Sequence, residues 1–260
     1  MNQLKREDEE IVELINKAVI PYPKPAVFIS GGLDSTIILH HLSQKNTEEP
    51  IHTFTAYWDH KDDEREYARS VAERYGSIHH EVKIENIFNQ FKKLLPHLDR
   101  PRINLWVCLL YEAAAKQGLE TVYIGEGADE HFSGYWYKDN LSPQEMWGGL
   151  LEYSVPTHKQ LSRFYDIRVE MPFLGLDLRR TLPYWDSQHH NKSFLRIMYQ
   201  DILPRGVIGR RKQPGRVPWL DIWEKEAEPF LGCGCPGSRS EAHRLINLWA
   251  YREWLDSHNL

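Results

Sequence analysis

Val27-Phe28-Ile29-Ser30-Gly31-Gly32-Leu33-Asp34-Ser35-Thr36-Ile37-Ile38-Leu39 reads as a buried β-strand, a turn rich in glycine and hydroxyls, and the opening of a helix. Two consecutive glycines delivered by a strand to a helix N-terminus let backbone N–H groups converge on an anion, because glycine lacks Cβ and tolerates tight dihedrals. The hydroxyls of Ser30, Ser35 and Thr36 are further candidate donors. Asp34 puts a carboxylate beside the same point, and that combination calls for a cation in between. Mg²⁺ bridging Asp34 and a polyphosphate answers the repulsion, since this ion is commonly held by one or two carboxylates plus phosphate oxygens. The Gly-x-x-x-x-Gly-Lys-Ser/Thr loop occurs nowhere in the chain, which disfavours ordinary γ-phosphate transfer.

Outward from this turn, apolar periodicity alternates between helix and strand. Ile11, Val12, Ile15, Ala18 and Val19 predict an amphipathic helix over 8–20, ended by Pro21, Pro23 and Pro25. The helix after the turn is expected over 36–42, and a strand over 51–58. A helix capped by Asp62-Asp63 runs to Tyr75, with Ala68, Val71, Ala72 and Tyr75 on one face and Gly76 at its stop. A strand over 78–84, helices near 86–95 and 103–116, and a strand over 121–124 follow. From Gly134 onward the chain reads as helical and irregular.

Strands alternating with helices imply right-handed crossovers, so the expected fold is α/β: a parallel sheet with helices on both faces and a helical C-terminal portion. The expectation is a single domain over 1–260. Ligands belong at the carboxyl ends of such strands, where both Ser30-Gly31-Gly32 and Gly125-Glu126-Gly127 fall.

Composition narrows the class. With 41% hydrophobic and 27% charged residues among 260, the chain has a soluble, globular make-up. A net charge of −5 argues against a general nucleic-acid coat, and no apolar run approaches membrane-spanning length. The start, Met1 to Glu10, is polar and acidic, unlike a signal or transit peptide, and three cysteines fit a reducing cytoplasm. Cys233-Gly234-Cys235 supplies only two metal-like ligands and reads as a connector.

The second chemical stretch is Tyr123-Ile124-Gly125-Glu126-Gly127-Ala128-Asp129-Glu130, three acids where a strand gives way to a turn. It suggests a division of labour, with Asp129 holding magnesium and Glu126 taking or orienting a proton.

Ser30 to Ser35 resembles the pyrophosphate loop of the N-type ATP pyrophosphatases. Together with Gly125 to Tyr135, Pro172-Phe173-Leu174, Lys192-Ser193-Phe194-Leu195-Arg196 and Leu203-Pro204…Arg210-Arg211-Lys212, it resembles the synthetase domain of the asparagine synthetases. β-Lactam synthetases and lasso-peptide cyclases share that domain. The resemblance implies an adenine nucleotide alpha hydrolase-like fold and an AMP-forming amide ligase: a carboxylate attacks the α-phosphorus of ATP, and an amine then attacks the acyl-adenylate. It further implies that Ser30, Gly31, Gly32, Leu33, Asp34 and Ser35 hold pyrophosphate, and that Asp34 and Asp129 hold Mg²⁺. Ala56 and Gly125 would lie against adenosine, and Glu126 would serve the amine. Lys192, Arg196 and above all Lys212 would answer the charge on the phosphates.

This chain also departs from the family pattern. The phosphate turn arrives within the first thirty or so residues, and residue 2 is Asn2, not a terminal cysteine nucleophile, so a preceding glutamine-hydrolysing domain is not expected. Ammonia or another amine is therefore the expected nucleophile, with glutamine used only through a separate glutaminase subunit; a homo-oligomer is compatible too. The segment from Tyr135 to Arg168 is short. The family's Glu-x-Arg-Val-Pro-Phe-Leu-Asp stands here as Arg168-Val169-Glu170-Met171-Pro172-Phe173-Leu174-Gly175, with acid and base exchanged and the last acid lost. Aspartate is the first candidate carboxylate, although that lost acid weakens it. The competing readings are a nucleobase- or tRNA-modifying ATP pyrophosphatase and a non-catalytic nucleotide-binding subunit.

Overall fold

The computed structural model describes residues 6–45, 49–58, 64–101, 104–134, 142–181, 191–210, 217–227 and 236–260. Five strands, β1 (Pro25–Phe28), β2 (His52–Tyr57), β3 (Ile78–Lys83), β4 (Thr121–Tyr123) and β5 (Arg168–Glu170), form one sheet in the order β3-β2-β1-β4-β5. Every pairing is parallel; Ala26 faces His52 on one side and Val122 on the other.

Alternate residues of each strand point to opposite faces, and here both faces are covered. Ala26, Phe54 and Val122 contribute to one core. Against them lie α4 (Ile87–Leu94), α5 (Cys108–Lys116) and the long helix Arg239–His258 near the C-terminus. Val27, Ile29 and Tyr123 contribute to the other, under α1 (Arg6–Ala18), α2 (Leu33–Ser43) and α3 (Arg65–Arg74). The helix near the C-terminus is pinned by Trp249, whose ring lies 4.7 Å from that of Phe88 on α4.

The expected α/β fold with a parallel, doubly covered sheet is the one observed, with local corrections. The helix behind the phosphate turn opens at Leu33, three residues before its expected start, because Gly32 supplies the extended N-cap. The helix expected from residue 103 begins as α5 at Cys108, preceded by a 3₁₀ turn at Asn104–Val107. Strand β5 was not expected at all. It is three residues long with charges at both ends, and only Val169 carries the apolar alternation that marks a strand. Its exchanged acid and base do pair, Arg168 Nη1 to Glu170 Oε1 at 3.3 Å, and the Arg168 guanidinium lies 4.4 Å over the Tyr22 ring. The expected cap at Asp62-Asp63 and the Cys233-Gly234-Cys235 connector lie outside the described residues.

The order of strands matters most for function. From β1 the chain steps outward through β2 and β3, then returns to the far side of β1 as β4 and β5. The carboxyl ends of β1 and β4 therefore border the crevice where the winding reverses, the position at which open parallel sheets bind ligands.

Candidate active site

The turn after β1 is fastened from three directions. Arg210 Nη1 donates to the Ser30 carbonyl at 2.7 Å while its Nη2 pairs with Glu64, and its guanidinium stacks 4.3 Å over the Tyr67 ring. The Thr55 hydroxyl of β2 donates to the Ile29 carbonyl. Thr36 Oγ1 donates to the Gly32 carbonyl at 2.7 Å, so the hydroxyl expected to face a phosphate instead closes the first turn of α2. Gly31 adopts φ +65°, and a Cβ there would come within 2.5 Å of Tyr67 Cβ on α3. Only glycine fits that approach.

These fastenings leave the N-terminus of α2 without a side-chain cap. Its N–H groups and the helix dipole make a ready anion site. Ser35 Oγ is buried beside it with no hydrogen-bond partner, a donor that a phosphate oxygen would satisfy. The Leu33 side chain is buried in the core under α2 and Gly31 packs against α3, so each would meet an anion only through its backbone N–H.

The turn after β4 meets the first at close quarters, since a Cβ on Gly125 would lie 2.9 Å from Asp34 Cβ. The short helix α6 (Ala128–Phe132) then carries Asp129 toward Asp34. One cation joins the two carboxylates: Lys192, only 3% exposed, hydrogen-bonds Asp34 and lies 2.8 Å from Asp129 Oδ1. Lys192 is set there by its left-handed backbone, φ +58°, and by the Asn191 and Lys192 amides, which both donate to the Ser133 carbonyl.

Two carboxylates focused on one positive charge at the mouth of an anion site are the donor set that Mg²⁺ takes when phosphate supplies its other oxygens. Among the described residues no group of three His, Cys, Asp or Glu side chains is placed to hold a metal. Asp34 and Asp129 fit that role.

Glu126 stands apart from this cluster with a partner of its own. α7 (Pro143–Gly149) passes through a π-helical turn, Leu150–Ser154, into α8 (Val155–Phe164), and this unbroken helical stretch closes over the β4 turn. It brings His158 Nε2 to 3.6 Å from Glu126 Oε1, while His158 Nδ1 lies 3.0 Å from the hydroxyl of Tyr111 on α5. Burial opposes ionisation of Glu126, but the His158 imidazole and Ser154 beside it outweigh this and hold its pKa below the ordinary carboxylate value. Burial, reinforced by the Glu126 charge, pushes the Tyr111 hydroxyl far above its usual value, so it stays protonated.

Ser30, Gly32, Asp34, Ser35, Ala56, Gly125, Glu126 and Asp129 all line one cleft of about 920 Å³. Its opposite wall comes from Trp106, Met146, Tyr153 and His158. Arg196, on α10, is turned elsewhere: with α9 at Leu178–Thr181 and α10 at Ser193–Tyr199, its guanidinium donates to the carbonyls of Asn191, Val207 and Ile208 and to the Asn191 side chain. It braces the segment that carries Lys192. Burial lowers its pKa, with Asp34 opposing. Lys212 lies outside the described residues. Sequence reasoning missed His158 and Tyr111, and it saw Arg210 only as part of a basic stretch.

The family model described as asparagine synthase matches residues 15–170, from α1 to the last residue of β5. The chain belongs to the asparagine synthase family. Members of this family are ATP-using synthetases, and the match takes in both turns of the cleft. Amidase chyE of Penicillium rubens is 30% identical over 175 residues, covering 56% of this chain and 26% of that protein. Asparagine synthetase B [glutamine-hydrolyzing] of Escherichia coli is 24% identical over 247 residues, covering 82% of this chain and 44% of its own length. The chain thus spans about a quarter of the fungal amidase and under half of the synthetase. A solved structure of the U34-tRNA thiolase NcsA from Methanococcus maripaludis aligns over 94% of this chain and 80% of its own at 13% identity, with a TM-score of 0.47. That likeness is too loose to bear on the reaction. No described helix is long and apolar enough to cross a membrane.

Proposed function

We propose that this protein is an AMP-forming amide ligase, which activates a carboxylate with ATP and passes the acyl group to an amine. The observation that carries this reading is the separation of two charged clusters within one cleft. Asp34, Asp129 and Lys192 gather at the uncapped N-terminus of α2, while Glu126 and His158 stand across the β4 turn. Activation and amine transfer need such different groups, one set for phosphate charge and one for a proton.

In this reading the α2 amides and Ser35 hold the pyrophosphate portion of ATP. Ala56 and Gly125 flank the adenosine at the ends of β2 and β4. Bound Mg²⁺, held by Asp34 and Asp129, neutralises phosphate charge. Lys192, beside those carboxylates, answers the negative charge that grows as pyrophosphate leaves, and a preorganised cation of this kind lowers the barrier most when water is excluded. Lys212 is assigned the same work by its place in the family pattern.

The nucleophile is ammonia or another amine. Cys108, the one cysteine among the described residues, has its thiol pushed up to about 12 by burial and by Glu112, so it supplies no thiolate for splitting glutamine. For nitrogen from glutamine, a separate glutaminase is the proposed route. The Asp and Glu side chains lining the cleft include Glu64 and Glu145 besides the three named, and no Lys or Arg joins them among the described residues.

The test is carboxylate-dependent exchange of labelled pyrophosphate into ATP, screened over amino acids, aryl acids and peptides. Exchange should require both a carboxylate and Asp34, and Asp34→Asn should abolish it with folding intact. Exchange that proceeds equally without any carboxylate would contradict the reading.

A further inference from the structure

The geometry points to His158 and Tyr111 as positioning residues for Glu126, a buried relay that keeps the amine-side carboxylate ionised and aimed into the cleft. This inference rests on the ligase reading for its chemistry, though not for its structural content.

The chain of contacts sets the His158 ring between a hydroxyl and a carboxylate. Tyr111 is fully buried, and its hydroxyl faces His158 Nδ1 at 3.0 Å. In the relay the Tyr111 phenol donates there, which makes Nδ1 the acceptor and leaves the ring N–H on Nε2. Nε2 is the nitrogen that faces Glu126 Oε1 at 3.6 Å. The direction of donation is therefore set two residues away, from Tyr111 through His158 to Glu126. The ring itself is held on α8, immediately after the π-helical turn, and π turns recur at functional sites because they re-aim side chains out of helical register.

All groups facing Glu126 enter this balance. His158 and Ser154 favour its ionised form; Asp129 and burial oppose it. Without the imidazole the balance moves toward the opposing pair, and the carboxyl would hold its proton to higher pH than in the wild type. In the amine step the N–C bond forms and the C–O bond to the adenylate breaks, its electron pair leaving with AMP. The surplus proton on nitrogen passes to the carboxylate of Glu126, whose other oxygen keeps the Nε2–H contact.

The relay is not a generic helix contact. A histidine packed for shape alone needs no hydroxyl on one nitrogen and carboxylate on the other. Tyr111 does not line the cleft, and its hydroxyl is joined to the Glu126 side through His158.

The experiment compares His158→Leu, His158→Gln and Tyr111→Phe with Glu126→Gln, using hydroxylamine as the amine so that its own ionisation does not dominate the profile. Two rates are read on each protein: pyrophosphate exchange, and hydroxamate formation as a function of pH. A positioned general base is worth roughly 10²–10⁴-fold, so Glu126→Gln should lose hydroxamate on that scale relative to exchange. His158→Leu should lose about tenfold or more of the same ratio and shift the acid limb of hydroxamate formation to higher pH. His158→Gln, which keeps a donor near the Nε2 position, should recover most of it, and Tyr111→Phe should fall between. A wild-type ratio and pH limb in His158→Leu, with Glu126→Gln still impaired, would overturn the relay while leaving the ligase reading intact. Absence of carboxylate-dependent exchange in the wild type would instead overturn the ligase reading. The relay is then judged by ¹⁵N chemical shifts of the His158 ring, assigned by difference from His158→Gln. Protonation at Nε2 upholds it and protonation at Nδ1 refutes it.

Discussion

Lys192→Met removes a charge from the centre of the site while keeping nearly the same volume. Lys192 is 3% exposed and its partners Asp34 and Asp129 are 19% and 13% exposed, so the three charges form a largely desolvated cluster. Deleting one member of a buried ion pair costs about 3–5 kcal/mol, because the charge left behind keeps its desolvation penalty. Here two carboxylates would be left facing each other, but Asp34 retains some contact with water, which argues for the lower end. For a chain of this size each kcal/mol moves the melting point by about 2–4 °C, so the variant should melt roughly 10 °C lower. Calorimetry in the presence of a chelator measures this loss. Adding Mg²⁺ should then restore more stability to Lys192→Met than it adds to the wild type, since the ion can take the place of the missing ammonium between the two carboxylates. A melting point within about 2 °C of wild type in chelator would show that the bridge is worth no more than a surface pair, and the reasoning would fail.

Gly31→Ala should distort the phosphate turn, since the new methyl meets Tyr67 Cβ at 2.5 Å and the backbone is held at φ +65°; nucleotide binding followed by calorimetric titration should be lost, and wild-type affinity would refute the close approach. His41, pushed down to about 4 by burial and by neighbouring His40 and Lys45, accepts or donates across 2.7 Å to the Tyr199 hydroxyl. The unfolded ring titrates near 6.5, so the unfolded chain binds the extra proton first. This part of the stability is complete above pH 6.5 and is lost as pH falls toward 4, by up to about 3 kcal/mol. Urea titrations at pH 7 and pH 5 should show a smaller difference for His41→Gln than for wild type, and equal differences would remove His41 as the source. Cys108 should resist alkylation at pH 8 until the protein unfolds, as read by peptide mass spectrometry; early modification would contradict its buried, thiol state.

How much of this was legible depended on whether the signal was local. Ser30 to Ser35 announces itself because strand, glycines and hydroxyls are consecutive, and Gly125 to Asp129 does so because three acids crowd one turn. Both could be placed at strand ends by periodicity alone, and their meeting followed from the rules of parallel sheets. β5 was hidden because its stability comes from pairing with β4, as Thr121 opposite Arg168 and Tyr123 opposite Glu170, and its own composition carries little strand signal. His158 lies in Val155-Pro156-Thr157-His158-Lys159, where nothing in the sequence connects it to Glu126, 32 positions away, or to Tyr111, 47 positions away. Arg210 looked like one more charge in a basic run, and its use emerges only when α2 and α3 close around it. Thr36 shows a use that spacing does not reveal: its hydroxyl, a candidate phosphate donor by position, hydrogen-bonds the carbonyl of Gly32.

The central claim is that a substrate carboxylate attacks the α-phosphorus of ATP in the cleft between β1 and β4. It is tested most directly by supplying the carboxylate identified by exchange with both oxygens labelled as ¹⁸O, running the reaction with ammonium, and following the phosphorus nuclei by NMR. The account predicts AMP and pyrophosphate as products, with one ¹⁸O transferred to the phosphate of AMP. ADP as the main product, or AMP free of label, would contradict it.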